Sequence, residues 1–231
     1  MWYNIFMIRF HVLSIFPETV ENYCSESILK RAKEKNLVDF KFYNIRDYTL
    51  DKHGKVDDKP YSGGPGMVMT AQPILDCVAK IKAKVKNPKK VVTVIFVPEA
   101  TKWTNKDAKS YSKKYSDVIL ICGRYEGIDY RVNKILKAKE VSVGDYVLTG
   151  GEIPAMILID SISRQIKGVL GKFESVEENR ESTKEFYTRP EILKFKGKTY
   201  KVPPVFLSGN PKLISEYRAK SKKSIRGIIA K

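Results

Sequence analysis

C-G-R-Y-E-G-I-D-Y-R-V-N-K-I-L-K-A-K-E-V-S-V-G-D-Y-V-L-T-G-G-E-I-P-A, residues 122–155, holds five glycines in three tight groups: Gly123 with Gly127, then Gly144, then Gly150 with Gly151. Val118-Ile119-Leu120-Ile121 reads as a buried strand leading into the first group, and Val141 to Val143 as a short strand leading into the second. Pro154 stands where a helix should begin, because its fixed φ suits a first turn and its missing N–H is not needed there. That helix is expected to run from Pro154 to about Ile166. Glycines gather where backbone turns sharply or comes close to a ligand. Any one group is an ordinary turn. Three groups within 29 residues, each placed at the end of an apolar strand, point to a ligand cradle.

The flanking chain supplies a frame for such a cradle. Phe10 to Phe16 is an apolar run stopped by Pro17 and reads as a strand. Thr19 to Lys35 carries Val20, Tyr23, Ile28, Leu29 and Ala32 at helical spacing, and Val38 to Ile45 alternates as the next strand. Strand, helix, strand opens a parallel α/β sheet. Polar loops follow, the first holding Asp47 and His53, the second the Gly/Pro-rich run Asp57 to Met67. Ala71–Lys82 predicts a helix, Val91–Val97 a strand ending at Pro98, and Trp103–Tyr115 another helix. Residues 172–186 are polar and poor in apolar side chains, the composition of a linker. The domains expected are therefore an α/β domain over residues 1–171, a linker over 172–186 and a small basic module over 187–231. There is no internal repeat.

The net charge of +17 over 231 residues implies a polyanionic partner, most often nucleic acid. The charge is uneven: Tyr187 to Lys231 carries 12 Lys/Arg against two acids, a net of +10 in 45 residues. A lysine-rich solvated surface would explain the total but not this concentration. The tail also carries Phe195, Tyr200, Phe206 and Tyr217, with helical spacing near Leu213 to Ile225, so a folded basic module is expected. No apolar run approaches the length of a membrane span. The start lacks a basic leader and a cleavage site, and Met1 and Met7 are both candidate starts. Three widely spaced cysteines, Cys24, Cys77 and Cys122, fit reduced thiols in a cytoplasm.

Several patterns are excluded. Gly197-Lys198-Thr199 resembles the end of a phosphate-binding P-loop, but the first glycine of that pattern falls on Ile192. No G-x-G-x-x-G opens a helix after a strand. His11 and His53 are the only histidines, and no Cys/His pair has metal-ligand spacing, so no metal is expected. His11, within a strand, is expected to be structural; His53 is equally a surface or a site residue.

Four segments together resemble one family. Asp57-Asp58-x-Pro60-Tyr61-x-Gly63-Gly64-Pro65-Gly66-Met67, Cys122 to Asp129, Gly144 to Ala155 and Tyr187-Thr188-Arg189-Pro190 are similar to signatures of the bacterial tRNA (guanine-N1)-methyltransferases. The Phe10–Pro17 and Val202–Val205 runs agree, and the resemblance covers Met7 to about Arg226 in order. It implies a SPOUT-class α/β domain with a parallel sheet and a deep trefoil knot, followed by a small basic helical domain that binds tRNA. It implies a cytoplasmic homodimer with each active site at the subunit interface. It implies S-adenosyl-L-methionine as methyl donor and N1 of guanosine 37, 3′ of the anticodon, as acceptor.

The resemblance further implies a donor site made by Pro98, Gly123, Tyr125, Glu126, Gly127, Val143, Gly144, Tyr146, Leu148, Gly150, Gly151 and Pro154. Arg124 and Glu126 are expected to meet the flipped guanosine. Asp47, His53, Lys222, Lys223 and Arg226 are the further candidates for RNA contact, and Arg164 for stabilising charge on the base's O6. Two positions depart from the family pattern. Val97-Pro98-Glu99-Ala100 replaces Ser-Pro-x-Gly, and the family's linker aspartate aligns without gaps on Asn179. A two-residue shift places Glu181 there, followed by Ser182 as in the family; Glu181 is the expected general base, with Glu178 as alternative. An RNA-binding protein that lost catalysis through Asn179 and a knotted methyltransferase for another RNA are the competing readings.

Overall fold

The structure is a computed structural model that describes residues 7–61, 63–170 and 185–218. Contacts divide the chain into two compact units, Met1–Phe173 and Glu174–Lys231.

The first unit is built on β1 (Ile8–Ser14), β2 (Val38–Asn44), β5 (Val91–Phe96), β6 (Asp117–Ile121) and β7 (Lys139–Val141), in the order β2-β1-β6-β5-β7. Every neighbouring pair is parallel. Strand β6 is buried at all five positions, as expected for a central parallel strand covered on both faces. Its side chains alternate between two cores. Val118 and Leu120 join Phe10, Val12, Val92 and Val94 on one face, while Ile119 and Ile121 join Leu13, Ile15 and Ile95 on the other.

Helices α1 (Pro17–Cys24), α2 (Ser27–Glu34), α4 (Asn105–Lys114) and α6 (Glu152–Ser163) bury residues in the first core. Helices α3 (Ala71–Lys82) and α5 (Tyr130–Leu136) bury theirs in the second. A short antiparallel pair, β3 (Asp57–Asp58) with β4 (Val68–Met69), precedes α3. None of the helices among the described residues is long and apolar enough to cross a membrane.

The structure corrects several sequence expectations. The single helix expected over Thr19–Lys35 is two, because the chain turns at Ser25–Glu26 and Ser27 takes φ +51°. Apolar spacing continues across that turn, so periodicity alone hides it. β7 ends at Val141, and α6 begins at Glu152 and ends at Ser163. The third glycine group therefore closes no strand; it opens a helix. Helix α5 was unexpected: it has one buried apolar residue, Val132, and starts on the Asp129 side chain, which accepts from Arg131 N.

In the second unit, β8 (Ile192–Phe195) and β9 (Lys198–Lys201) form an antiparallel hairpin, followed by α7 (Pro204–Leu207) and a helical stretch over residues 211–218. The module is thus mixed, not helical throughout. Lys196-Gly197 is the hairpin's turn, at φ +48° and +72°, and Lys198 and Thr199 open β9. Tyr187, Phe206 and Tyr217 form a continuous ring contact at 5.2 and 5.3 Å between centroids.

Candidate active site

Because β6, β5 and β7 are neighbours, the loops leaving their carboxyl ends are neighbours as well. That edge of an open parallel sheet is where α/β folds bind ligands. Here it opens into one cavity of about 450 Å³. All three glycine groups line it, together with the Val97–Glu99 corner after β5.

Each loop is held by its own bonds. After β6, the Met67–Met69 segment lies along the Arg124–Asp129 loop: Glu126 N donates to Met67 O (3.0 Å), Met69 N to Gly127 O (2.9 Å) and Asp129 N to Met69 O (3.0 Å). The Gly/Pro-rich Asp57–Met67 motif is thereby laid against the second motif. After β7, Ser142 Oγ donates to Gly144 O (3.1 Å) and accepts from Gly144 N (3.3 Å), which closes the turn. Tyr146 folds back over Gly144 and donates to Val143 O (3.1 Å), and Asp145 pairs with Lys102. At the start of α6, Gly151 N donates to Gly123 O (2.9 Å). A Cβ on Gly151 would lie 2.6 Å from Cys122 Cα, a backbone atom that has no side-chain freedom to yield.

The lining is acidic in a basic protein. Among the described residues the lining holds four carboxylates, Glu99, Glu126, Asp129 and Glu140, and one guanidinium, Arg124. The Arg131 guanidinium, 2.6 Å away, holds the Asp129 carboxyl below the usual carboxylate range. Glu140 accepts from Asn133 of α5. Beneath the cavity floor, Glu152 is 2% exposed, hydrogen-bonded by Ser14 and Arg124.

A profile of the family described as tRNA (Guanine-1)-methyltransferase TrmD matches residues 8–227. The chain belongs to this family. It is 48% identical over 217 residues to the tRNA (guanine-N(1)-)-methyltransferase of Clostridioides difficile, covering 91% of this chain and 90% of that one. It is 49% identical over 213 residues to the protein of the same name from Caldicellulosiruptor saccharolyticus, covering 90% and 83%. Its structure matches the crystal structure of the tRNA (m1G37) methyltransferase from Aquifex aeolicus with a TM-score of 0.74 at 37% identity, covering 91% of this chain and 87% of that one.

Within this TrmD-family chain, all twelve residues expected to form the donor site line the one cavity: Pro98, Gly123, Tyr125, Glu126, Gly127, Val143, Gly144, Tyr146, Leu148, Gly150, Gly151 and Pro154. Arg124 joins them. Arg164 does not. It caps the far end of α6, ten residues beyond Pro154, which at 1.5 Å per residue is about 15 Å along the helix axis. Asp47, in the 3-10 turn Ile45–Tyr48, and His53 are exposed and line no part of the cavity. His11 is structural, as expected, buried between Asp117 (3.0 Å) and Tyr43 (3.2 Å). Glu178, Asn179, Glu181, Lys222, Lys223 and Arg226 lie outside the described residues.

Sequence reasoning missed Asn133, Glu140 and Thr149 as lining residues and gave Glu152 no role. The acid immediately after Gly150-Gly151, at the mouth of an apolar helix, was the available signal for Glu152.

Proposed function

We propose that this chain transfers a methyl group from S-adenosyl-L-methionine to N1 of guanosine 37 in tRNA. The observation that carries this reading is the single cavity in which three glycine-built bends bring together two of the family's signature segments, Cys122–Asp129 and Gly144–Ala155. Its residues suit that donor. Side-chain-free main chain at the three glycine groups lets adenine and ribose edges come close, and the lining carboxylates Glu99, Glu126 and Glu140 favour a ligand bearing a sulfonium and an ammonium. The donor, when bound, supplies a methyl already activated for transfer.

What the chain must then do is place and discharge the acceptor. N1 lies on the pairing edge of guanine, so the nucleotide is flipped out before it reacts. Arg124 and Glu126, at the cavity, receive it, and holding N1 in line with the methyl supplies most of the acceleration. A general base removes the N1 proton, and a cation offsets the negative charge that builds on O6. Glu181 is proposed as that base, with Glu178 as alternative, and Arg164 as that cation.

Because α6 carries Arg164 away from its own chain's cavity, we assign it to the cavity of a second subunit in a homodimer. Exposed apolar side chains on and beside α1 and α6 (Phe16, Tyr23, Ile153 and Ile157) support such an interface. The close pass of Gly151 over Cys122 supports a chain threaded as a trefoil knot. The division of labour proposed is donor binding by residues 1–171 and tRNA binding by residues 187–231, with Lys222, Lys223 and Arg226 on phosphates. Reduced thiols fit a cytoplasmic setting.

Calorimetry with the donor and a methyl-transfer assay on tRNA test the reading. Donor binding and transfer to tRNA with guanosine at position 37 are expected, with no transfer when adenosine replaces it. Donor binding without transfer would favour the RNA-binding reading.

A further inference from the structure

The proposed mechanism uses Arg124 but leaves the carboxylate behind it without a role. We propose that Glu152 is a positioning residue that sets the Arg124 guanidinium at the cavity for the RNA base. This rests on the reading of the cavity given above.

Glu152 does not line the cavity; it lies beneath, its side chain 3% exposed. Burying a carboxylate is costly unless it is paired and hydrogen-bonded. Here it is fully engaged. Ser14 Oγ, at the end of β1, donates to Oε1 (2.6 Å). Arg124 Nε donates to Oε1 (3.2 Å) and lies 3.0 Å from Oε2. Ser14 Oγ is itself fixed by Phe16 N (2.8 Å).

Arg124 is gripped on its other sides as well. Its guanidinium carbon lies 4.9 Å over the Phe16 ring, and Nη1 reaches Thr149 O (3.5 Å). Among the described residues, Nη2 has no hydrogen-bond partner. The ion pair passes directly over Gly150, where a Cβ would lie 2.6 Å from Glu152 Oε2 and 2.7 Å from Arg124 Cδ. So one buried carboxylate joins β1, the loop after β6 and the first turn of α6, and the only cation lining the cavity among the described residues hangs from it. The remaining N–H groups of a fixed, planar fork are suited to an acceptor atom of guanine or its phosphate.

The test compares the wild type with Glu152→Gln, Arg124→Ala and the double variant. Donor affinity is read by calorimetry, and kcat and KM for tRNA by methyl transfer. Glutamine keeps the shape but turns an N–H₂ toward one of two donors. Glu152→Gln is expected to lower kcat/KM for tRNA about 10- to 100-fold, with donor Kd within about threefold of the wild type. In the Arg124→Ala background the same change should cost less than about threefold, because the residue it serves is gone.

An unaffected Glu152→Gln overturns the proposal, and so does an equal loss in both backgrounds. Donor affinity falling in step with activity also overturns it, since that marks a purely structural role. If Glu152→Gln does not fold, Ser14→Ala replaces it, with about a fivefold loss on tRNA and unchanged donor Kd expected; no loss overturns the proposal. A wild type inactive on guanosine-37 tRNA overturns the functional reading and this role with it. An active wild type with an unaffected variant overturns this role alone.

Discussion

At the scale of single residues, the polar groups of the first unit divide into those that hold the sheet and those at the cavity. Asp117, at the head of β6, belongs to the first kind. Burial pushes its carboxyl up, but bonds from His11 and Ser116 and the charge of Arg9 outweigh it and hold the group below the usual range. A group depressed in the folded state contributes stability above its unfolded value, near pH 4, and that contribution is lost as pH falls through the folded value. Asp117→Asn should therefore destabilise the protein at pH 7 by about 2 kcal/mol and flatten the acid side of its stability profile, measured by denaturant unfolding between pH 3 and 7. The cysteines are of the inert kind. Burial pushes the Cys24 and Cys77 thiols up to about 12, and Cys122 is raised well above its ordinary value for the same reason. The native protein should resist thiol reagents at pH 8, and all three cysteines should react once it is unfolded. His11 was legible as structural because it sits in an apolar strand. Its partners Tyr43 and Asp117 were not, because the two strands that flank β1 lie 32 and 106 residues away in the chain.

At the scale of elements, what could be read was whatever a local signal governs. Ala71–Lys82 was delimited correctly because its apolar spacing has a clear start and stop. The buried strands were read from β-branched runs. The break between α1 and α2 was hidden because the turn at Ser25–Glu26 carries no glycine or proline. Helix α5 was hidden because it lies inside a motif read for its glycines. The β8–β9 hairpin was obscured by lysines that dominate its composition. Thr104 and Asp107 form a reciprocal capping box on α4, so Thr104→Ala should cost about 1 kcal/mol in thermal or denaturant unfolding. Gly151→Ala places a Cβ against Cys122 backbone and must displace either the β6 loop or α6. Donor affinity should therefore fall at least about tenfold by calorimetry.

At the scale of the whole molecule, the sheet order converts sequence-distant motifs into one site. Strand β5 lies between β6 and β7, although α4 separates it from β6 in the chain and α5 separates β6 from β7. The motif residues were legible because each signature is contiguous, and their gathering into one cradle was expected from the three glycine groups; the strand order that brings them together was not, because it is set by pairing. Charge acts at this scale too. With a net charge of +17 and an acidic cavity lining, tRNA affinity should fall at least about tenfold between 50 and 200 mM salt, while donor affinity should change less than about threefold. A filter-binding series against calorimetry checks both. One consequence lies in the floor of the cavity, where Gly151 presses on Cys122. An inhibitor anchored there would read main chain, which substitution alters only by adding atoms the crossing cannot admit. Drug escape would then have to arise at the rim, at Glu99 or Val147, where side chains are exposed and replaceable.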